Sequence, residues 1–386
     1  MEYLIRAFAD RGYRVYVLSP KYGYAGEPPA GATLLRFRCP GIRSLMLDVH
    51  FTSKVRPLFF GGMMTAAKDL VKLLVGTLLV ARAIGCTGAS LVYVNEYVVI
   101  QGSLAAVLRR VPSVIHIRSL FRGGAHGIRR RLLSFLIVSC NRKVFPISRL
   151  EAGQIRVPER ARGKITVVGE FVDRQPESPP GRETMRRDLG VTHGGVLVAM
   201  LGGISPLKGT LDFLRSAEQV AASRADVVFV LAGGEEEAPD GSDAGYHRDC
   251  RRLVTALQSA GSLKILGILE RADGLLSACD VLVSPSSLTH FSRPVIEAWS
   301  FGKPVVASSV DHMRDLISDG RDGLLYPPGD CGRLSEAILS LAGDPGMRLR
   351  MGEAGRKKAR ETFDAARNTG IIVGLCSTLL PGAGSR

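Results

Sequence analysis

The stretch SPSSLTHFSRPVIEAWSFGKPVVAS, residues 284–308, decides how the rest of the chain is read. It follows an apolar run, 281–283, with the composition of a buried strand. A polar loop comes next, then Pro294 in the first turn of a helical segment, where a missing N–H costs nothing. Gly302 is placed to end that helix, and 304–308 begins another apolar strand. This order puts Glu297 in the first turn or so of a helix at the carboxyl edge of a strand. Ligands bind at such edges in open α/β sheets, and helix N-termini favour anions. A carboxylate so placed can accept from two adjacent hydroxyls, as on a ribose.

Outward from this stretch, strand and helix keep alternating, the pattern of a parallel α/β sheet. Towards the N-terminus, strands are expected at 13–18, 33–37, 91–94, 114–117, 143–147 and 164–168. Helices fall at 1–11, 58–82, 100–110, 127–138 and 149–156, the last capped by Ser148. A Pro/Gly-rich loop occupies 23–31, and another loop follows at 118–127. Residues 170–195, with Pro176, Pro179, Pro180 and Gly181, read as a linker, after which the alternation restarts. Residues 364–380 form an apolar tail helix, and the last six residues read as frayed. The expected domains are therefore 1–168, a linker 169–195, 196–362, and a terminal segment 363–386.

Charge divides the same way. Residues 1–165 carry 26 Lys+Arg against 8 Asp+Glu, whereas the remainder carries 25 against 28. A basic face in one half suits an anionic membrane surface, and no pattern of a nucleic-acid reader accompanies it. The seven cysteines are odd in number and lack ligand spacing, which suits a reducing compartment. No uncharged apolar run approaches the ~20 residues that a spanning helix needs; 70–83 is broken by Lys72 and Arg82. The expectation is a cytoplasmic protein that rests peripherally on the inner face of a membrane.

Residues 202–209, GGISPLKG, join a strand to a helix, and bring backbone N–H groups and the Lys208 ammonium towards one point suited to a diphosphate. No Asp-x-Asp metal motif, G-x-S-x-G elbow or phosphate loop of the G-x-x-x-x-G-K-[ST] type occurs.

With these motifs in place, the chain resembles the glycosyltransferase family 4 enzymes. The resemblance rests on 291–298, 302–307, Asp319-Gly320 and 323–330, and it runs through the whole second half. It implies the GT-B fold, two facing Rossmann-like domains, and a retaining transferase that uses a nucleoside-diphosphate sugar without a metal or other cofactor. Donor contacts are then expected from Glu297, Thr289, Phe291, Ser292, Arg293, Gly202, Gly203, Gly233 and Gly234. Catalytic contacts are expected from Lys208, Arg118 and His290, with His116 packing inside its strand.

Two family positions differ: Thr289 stands where a first Glu is usual, and Gly203 where an Arg is usual. The family also begins earlier, with a buried strand and a glycine loop, so the chain is expected to lack its first strand. The implied reaction moves a sugar onto a saccharide or lipid-linked acceptor in polysaccharide or glycolipid synthesis. A non-catalytic nucleotide-sugar-binding scaffold and a sugar-nucleotide 2-epimerase are the alternatives.

Overall fold

The structure is a computed structural model that describes residues 2–20, 32–37, 60–121, 128–173, 175, 181–235, 241 and 243–380. The loop at 23–31, most of 118–127 and the final six residues lie outside the described residues. The chain divides into two units, Met1–Phe171 with Ala365–Arg386, and Val172–Asp364.

The first unit opens with α1 (Glu2–Ala9), β1 (Val15–Pro20), β2 (Ala32–Phe37) and the long α2 (Phe60–Thr87). It continues with β3 (Val92–Val94), α3 (Gln101–Leu108), β4 (Ser113–Ile117), α4 (Ile128–Cys140), β5 (Lys143–Pro146) and α5 (Arg149–Gln154). Among the described residues its strands form two parallel sheets, β1-β2 and β3-β4-β5. Strand periodicity sorts the faces of β4. Ile115 and Ile117 pack with Ile137 of α4, while Val114 packs with Leu4 of α1 and Ile372 of the last helix. Ser148 caps α5 by accepting from Leu150 N–H at 3.0 Å. Of residues 164–168, expected as a strand, Lys164 ends a 3-10 turn and the rest run alongside β5 through the parallel bridge of Val144 with Ile165. Thr166 N–H and Val168 N–H donate to the Val144 and Pro146 carbonyls at 3.0 Å each.

The second unit begins with α6 (Arg182–Asp188), a helix inside the segment expected to be a linker. Asp280 explains it. This carboxylate accepts from Arg182 Nη2 (2.8 Å), Arg186 Nη1 (2.7 Å) and Leu197 N–H (2.8 Å), and so fastens α6 to the start of a strand. The alternation follows as β6 (Val196–Leu201), α7 (Thr210–Ala221), β7 (Val227–Ala232), α8 (Ala244–Ser259), β8 (Leu263–Gly267), α9 (Asp273–Ala278) and β9 (Val281–Ser284). Then come α10 (Arg293–Ser300), β10 (Val305–Ser308), α11 (Asp311–Leu316), β11 (Leu324–Tyr326), α12 (Cys331–Gly343) and α13 (Pro345–Thr362). Helix α14 (Ala365–Ser377) returns to the first unit.

The six strands run in the order β11-β10-β9-β6-β7-β8, and every pairing is parallel. Both sheet faces are covered, with separate cores around Trp299 and around Phe213 and Phe229. The order reverses between β6 and β9, which is the switch point where such sheets take their ligands.

Candidate active site

Two loops leave the carboxyl ends of β6 and β9 side by side. On the first, Gly202 N–H and Gly203 N–H both donate to the Ala232 carbonyl, at 2.9 and 3.0 Å, and Ile204 N–H donates to the Gly234 carbonyl at 3.0 Å. Gly203 has φ +66°, and a Cβ there would stand 1.7 Å from the Gly234 carbonyl oxygen. At Gly233, with φ +131°, a Cβ would stand 2.3 Å from Gly203 N. The two glycine pairs therefore cross at backbone contact, which a side chain would prevent. Thr210 braces this crossing: its buried hydroxyl accepts from Ser205 N–H (3.1 Å) and donates to the Gly203 carbonyl (2.7 Å). Tyr246 adds a second brace, accepting from Leu211 N–H at 2.8 Å and donating to the Ser205 carbonyl at 3.2 Å.

The second loop is tied to the first. Ser287 donates through its hydroxyl to the Pro206 carbonyl (2.7 Å) and through its N–H to the Leu207 carbonyl (3.2 Å). These bonds bring two expected catalytic residues together, with Lys208 Nζ 3.3 Å from His290 Nε2. His290 Nδ1 lies 3.0 Å from the Leu288 carbonyl. A carbonyl only accepts, so Nδ1 carries the proton and Nε2 accepts from the Lys208 ammonium. The stem of Lys208 passes over Gly202, where an added Cβ would touch its Cγ at 3.2 Å.

Glu297 lies one turn into α10 and accepts from Arg293 Nε at 2.6 Å. The pair presents one acid and one base on the same helix face. Ser292 is buried, with its hydroxyl 2.9 Å from that of Ser284, and it pins the entry to α10. Phe291 stands edge-on to His312 and Phe363, with ring centroids 6.3 and 6.2 Å away, so its ring is engaged in packing. Thr289 is half-buried on the same loop. The later signature residues build the fold. Asp330 caps α12 through Arg333 N–H (2.9 Å), Asp319 accepts from Leu325 N–H (2.8 Å), and Trp299 Nε1 donates to the Asp322 carbonyl (2.8 Å).

Arg118 belongs to the first unit, at the carboxyl edge of β4. Its guanidinium grips the nearly buried Glu170, with Nε at 2.7 Å and Nη2 at 2.6 Å from Oε1. Removing one partner of such a pair strands the other charge, at a cost of roughly 3–5 kcal/mol. Glu170 and Phe171 stand where the resembled family has Asn-Gly, and the structure gives Glu170 its reason: it is the counterion of Arg118. Glu96 ties the same edge together. It accepts from Tyr97 N–H (2.8 Å), Arg118 N–H (3.1 Å) and the Ser119 hydroxyl (3.0 Å). Burial nevertheless raises its carboxyl to about 7. His116 is fully buried, with Nδ1 2.8 Å from the Tyr93 hydroxyl. Burial, followed by the Arg118 charge, lowers it to about 3 and keeps it neutral.

Glu96, Glu170, Thr210 and Tyr246 were not among the residues expected from sequence. Only Thr210, a hydroxyl at the start of a helix beside Lys208-Gly209, left a local signal.

One cluster next to the glycine crossing is built around a buried histidine. The buried His247 has Nδ1 2.8 Å from Glu235 and Nε2 3.2 Å from Asp243, while Arg251 also reaches Glu235 at 2.5 Å. Burial pulls the imidazole down, but the two carboxylates outweigh it and hold His247 above its ordinary value. The stability it contributes is therefore complete below about pH 6.5, its unfolded value, and is lost as pH rises through the higher folded value. Chemical denaturation of the wild type should show that loss as pH rises past about 6.5, and His247→Gln should flatten it.

Against known proteins, residues 181–358 match the family model described as glycosyl transferases group 1. The alpha-maltose-1-phosphate synthase of Mycobacterium tuberculosis is 25% identical over 353 residues, covering 84% of this chain and 88% of that protein. The D-inositol 3-phosphate glycosyltransferase of Streptomyces avermitilis is 30% identical over 213 residues, 53% of this chain and 45% of that protein. Among solved structures, Anabaena HepE in complex with UDP and glucose superposes with a TM-score of 0.72 at 20% identity, over 98% of this chain and 96% of that one. A glycosyltransferase from Rickettsia africae gives 0.73 at 13% identity, over 98% and 94%. With this match over residues 181–358 and these relatives, the chain is a glycosyltransferase with the GT-B fold, and its second unit is similar to the glycosyl transferases group 1.

Proposed function

We propose that the chain transfers a sugar from a nucleoside-diphosphate donor to a saccharide or lipid-linked acceptor with retention of anomeric configuration, in polysaccharide or glycolipid synthesis. The observation that carries the reading is the Lys208–His290 contact at the β6/β9 switch point, beside crossed glycine pairs and on the loop that leads into α10 with its Arg293–Glu297 pair. In the reaction, negative charge grows on the departing diphosphate while the sugar becomes cationic. Lys208 and Arg293 supply positive charge to the diphosphate, and Glu297 accepts hydroxyls of the donor. Preorganised groups of this kind act without reorganising when charge develops. His290 holds the Lys208 ammonium in place through its lone pair.

Metal independence is part of the proposal, since lysine and arginine do the neutralising that a divalent ion does elsewhere. So is a cytoplasmic location on the inner face of a membrane, which the concentration of basic residues in 1–165 supports.

The test uses UDP-glucose, the ligand named for one solved neighbour, with a panel of saccharide and lipid-linked acceptors. The expected product is α-linked by NMR and unchanged in yield with EDTA. A β-linked product would overturn retention, and loss of turnover with EDTA would overturn metal independence.

A further inference from the structure

Helices α2, α3 and α4 cover one face of the β3-β4-β5 sheet. Ala81 and Ile84 of α2 pack on Ala105 of α3, and Leu73 joins Ile137 of α4 in the neighbouring core. That contact explains why α2 is apolar on its inner side. Its outer side is apolar as well. Leu70, Val71, Leu74 and Leu78 are each more than half exposed. At 3.6 residues per turn these four fall in a single arc of about 100°.

The two neighbouring helices repeat the combination. Val107 and Leu108 of α3 are exposed just before the exposed Arg109 and Arg110, and Leu132 and Phe135 of α4 are exposed beside Arg131. Arg109 reaches α2 itself: a Cβ on Gly85 would lie 2.2 Å from its Nη2. Lys68 and Arg82 are exposed on α2, beside the apolar stripe. Asp69 is the acidic residue on this stretch of α2.

Residues Lys68–Thr87 are long and apolar enough, by length and composition, to cross a membrane, even with Lys72 and Arg82 in the run. Crossing would strip Ala81, Ile84 and Leu73 from the core they share with α3 and α4. Lying flat keeps those contacts and leaves the outer stripe for another surface.

We infer that the outer face of α2, α3 and α4 is a docking surface for an anionic lipid bilayer. Its apolar side chains enter the headgroup boundary, while Lys68, Arg82, Arg109, Arg110 and Arg131 meet the lipid charges. Charge complementarity selects this occupant. A second copy would bring like-charged faces together, and nucleic acid would leave the leucines and Phe135 unused. The inference rests on the peripheral-membrane part of the reading above and is independent of the transfer chemistry.

The test is co-sedimentation of the full chain with phosphatidylcholine vesicles and with vesicles containing phosphatidylglycerol. Binding is expected with the anionic vesicles, falling steeply with salt. Leu74→Glu/Leu78→Glu and, separately, Arg109→Ala/Arg110→Ala should each lower partitioning at least tenfold. The second figure follows from about a fivefold loss per basic residue. Melting temperatures of these exposed-site variants should stay within about 2 °C of wild type, which separates lost docking from lost folding.

Equal binding to neutral vesicles would overturn the charge argument. Anionic binding that neither variant weakens would overturn this surface while leaving a peripheral enzyme. No vesicle binding, or dimerisation abolished by Leu74→Glu/Leu78→Glu, would overturn the lipid partner altogether. Transfer to a soluble acceptor, measured in parallel, reports on the chemistry separately.

Discussion

Lys208→Ala is expected to lower kcat/KM for sugar transfer by about a hundred- to a thousandfold, the range seen when one preorganised donor to a developing anion is removed. The melting temperature should change little, because the half-exposed side chain rests over Gly202 rather than in a core. The loop's own shape is kept by Thr210, Tyr246 and Ser287, none of which the substitution touches. His290→Ala should cost less, since it removes the lone pair that places the ammonium but not the ammonium itself. Steady-state kinetics with UDP-glucose and calorimetry on the same preparations check both statements. If Lys208→Ala turned over at the wild-type rate, the switch-point loop would not be the diphosphate site.

The second large effect concerns Gly203, where the resembled family has an arginine. A return to arginine looks like a repair, but the structure predicts damage. A Cβ at this position collides with the Gly234 carbonyl, and φ +66° is a conformation that residues other than glycine adopt at a cost. Both Gly203→Ala and Gly203→Arg are therefore expected to destabilise the second unit by about 3 kcal/mol. That corresponds to a fall in melting temperature of roughly 6–12 °C for a unit of this size. Nucleotide affinity should fall with stability, because Gly233 and Gly234 would be pushed off the crossing. Calorimetry with and without UDP reads both changes. A Gly203→Arg protein that melts like wild type and binds UDP more tightly would show that the loop can open to the family's form.

The seating of Arg118 shows the same interdependence of departures. Read singly, Glu170 is one more difference from the family pattern. In the fold it is the partner of Arg118 across 52 positions of sequence. The cation expected to make a catalytic contact is thus already held by a carboxylate.

Much of this protein was legible in the residues alone. Alternating apolar runs and turns determined the parallel sheets, because a strand buried on both faces needs a continuous apolar run and a helix needs its stripe. Proline at a helix start, glycine at its end and the spacing from Glu297 to Gly302 determined how α10 sits on β9, since these are local backbone constraints. The helix α6 inside the expected linker was not legible. A short polar helix has little propensity signal of its own, and what holds it is Asp280, distant in sequence. Nor could sequence show that Gly203 and Gly234 touch, that Lys208 meets His290, or that Glu170 neutralises Arg118. Each of these depends on which strands become neighbours, and strand order is settled by packing of the whole sheet, not by any segment of it.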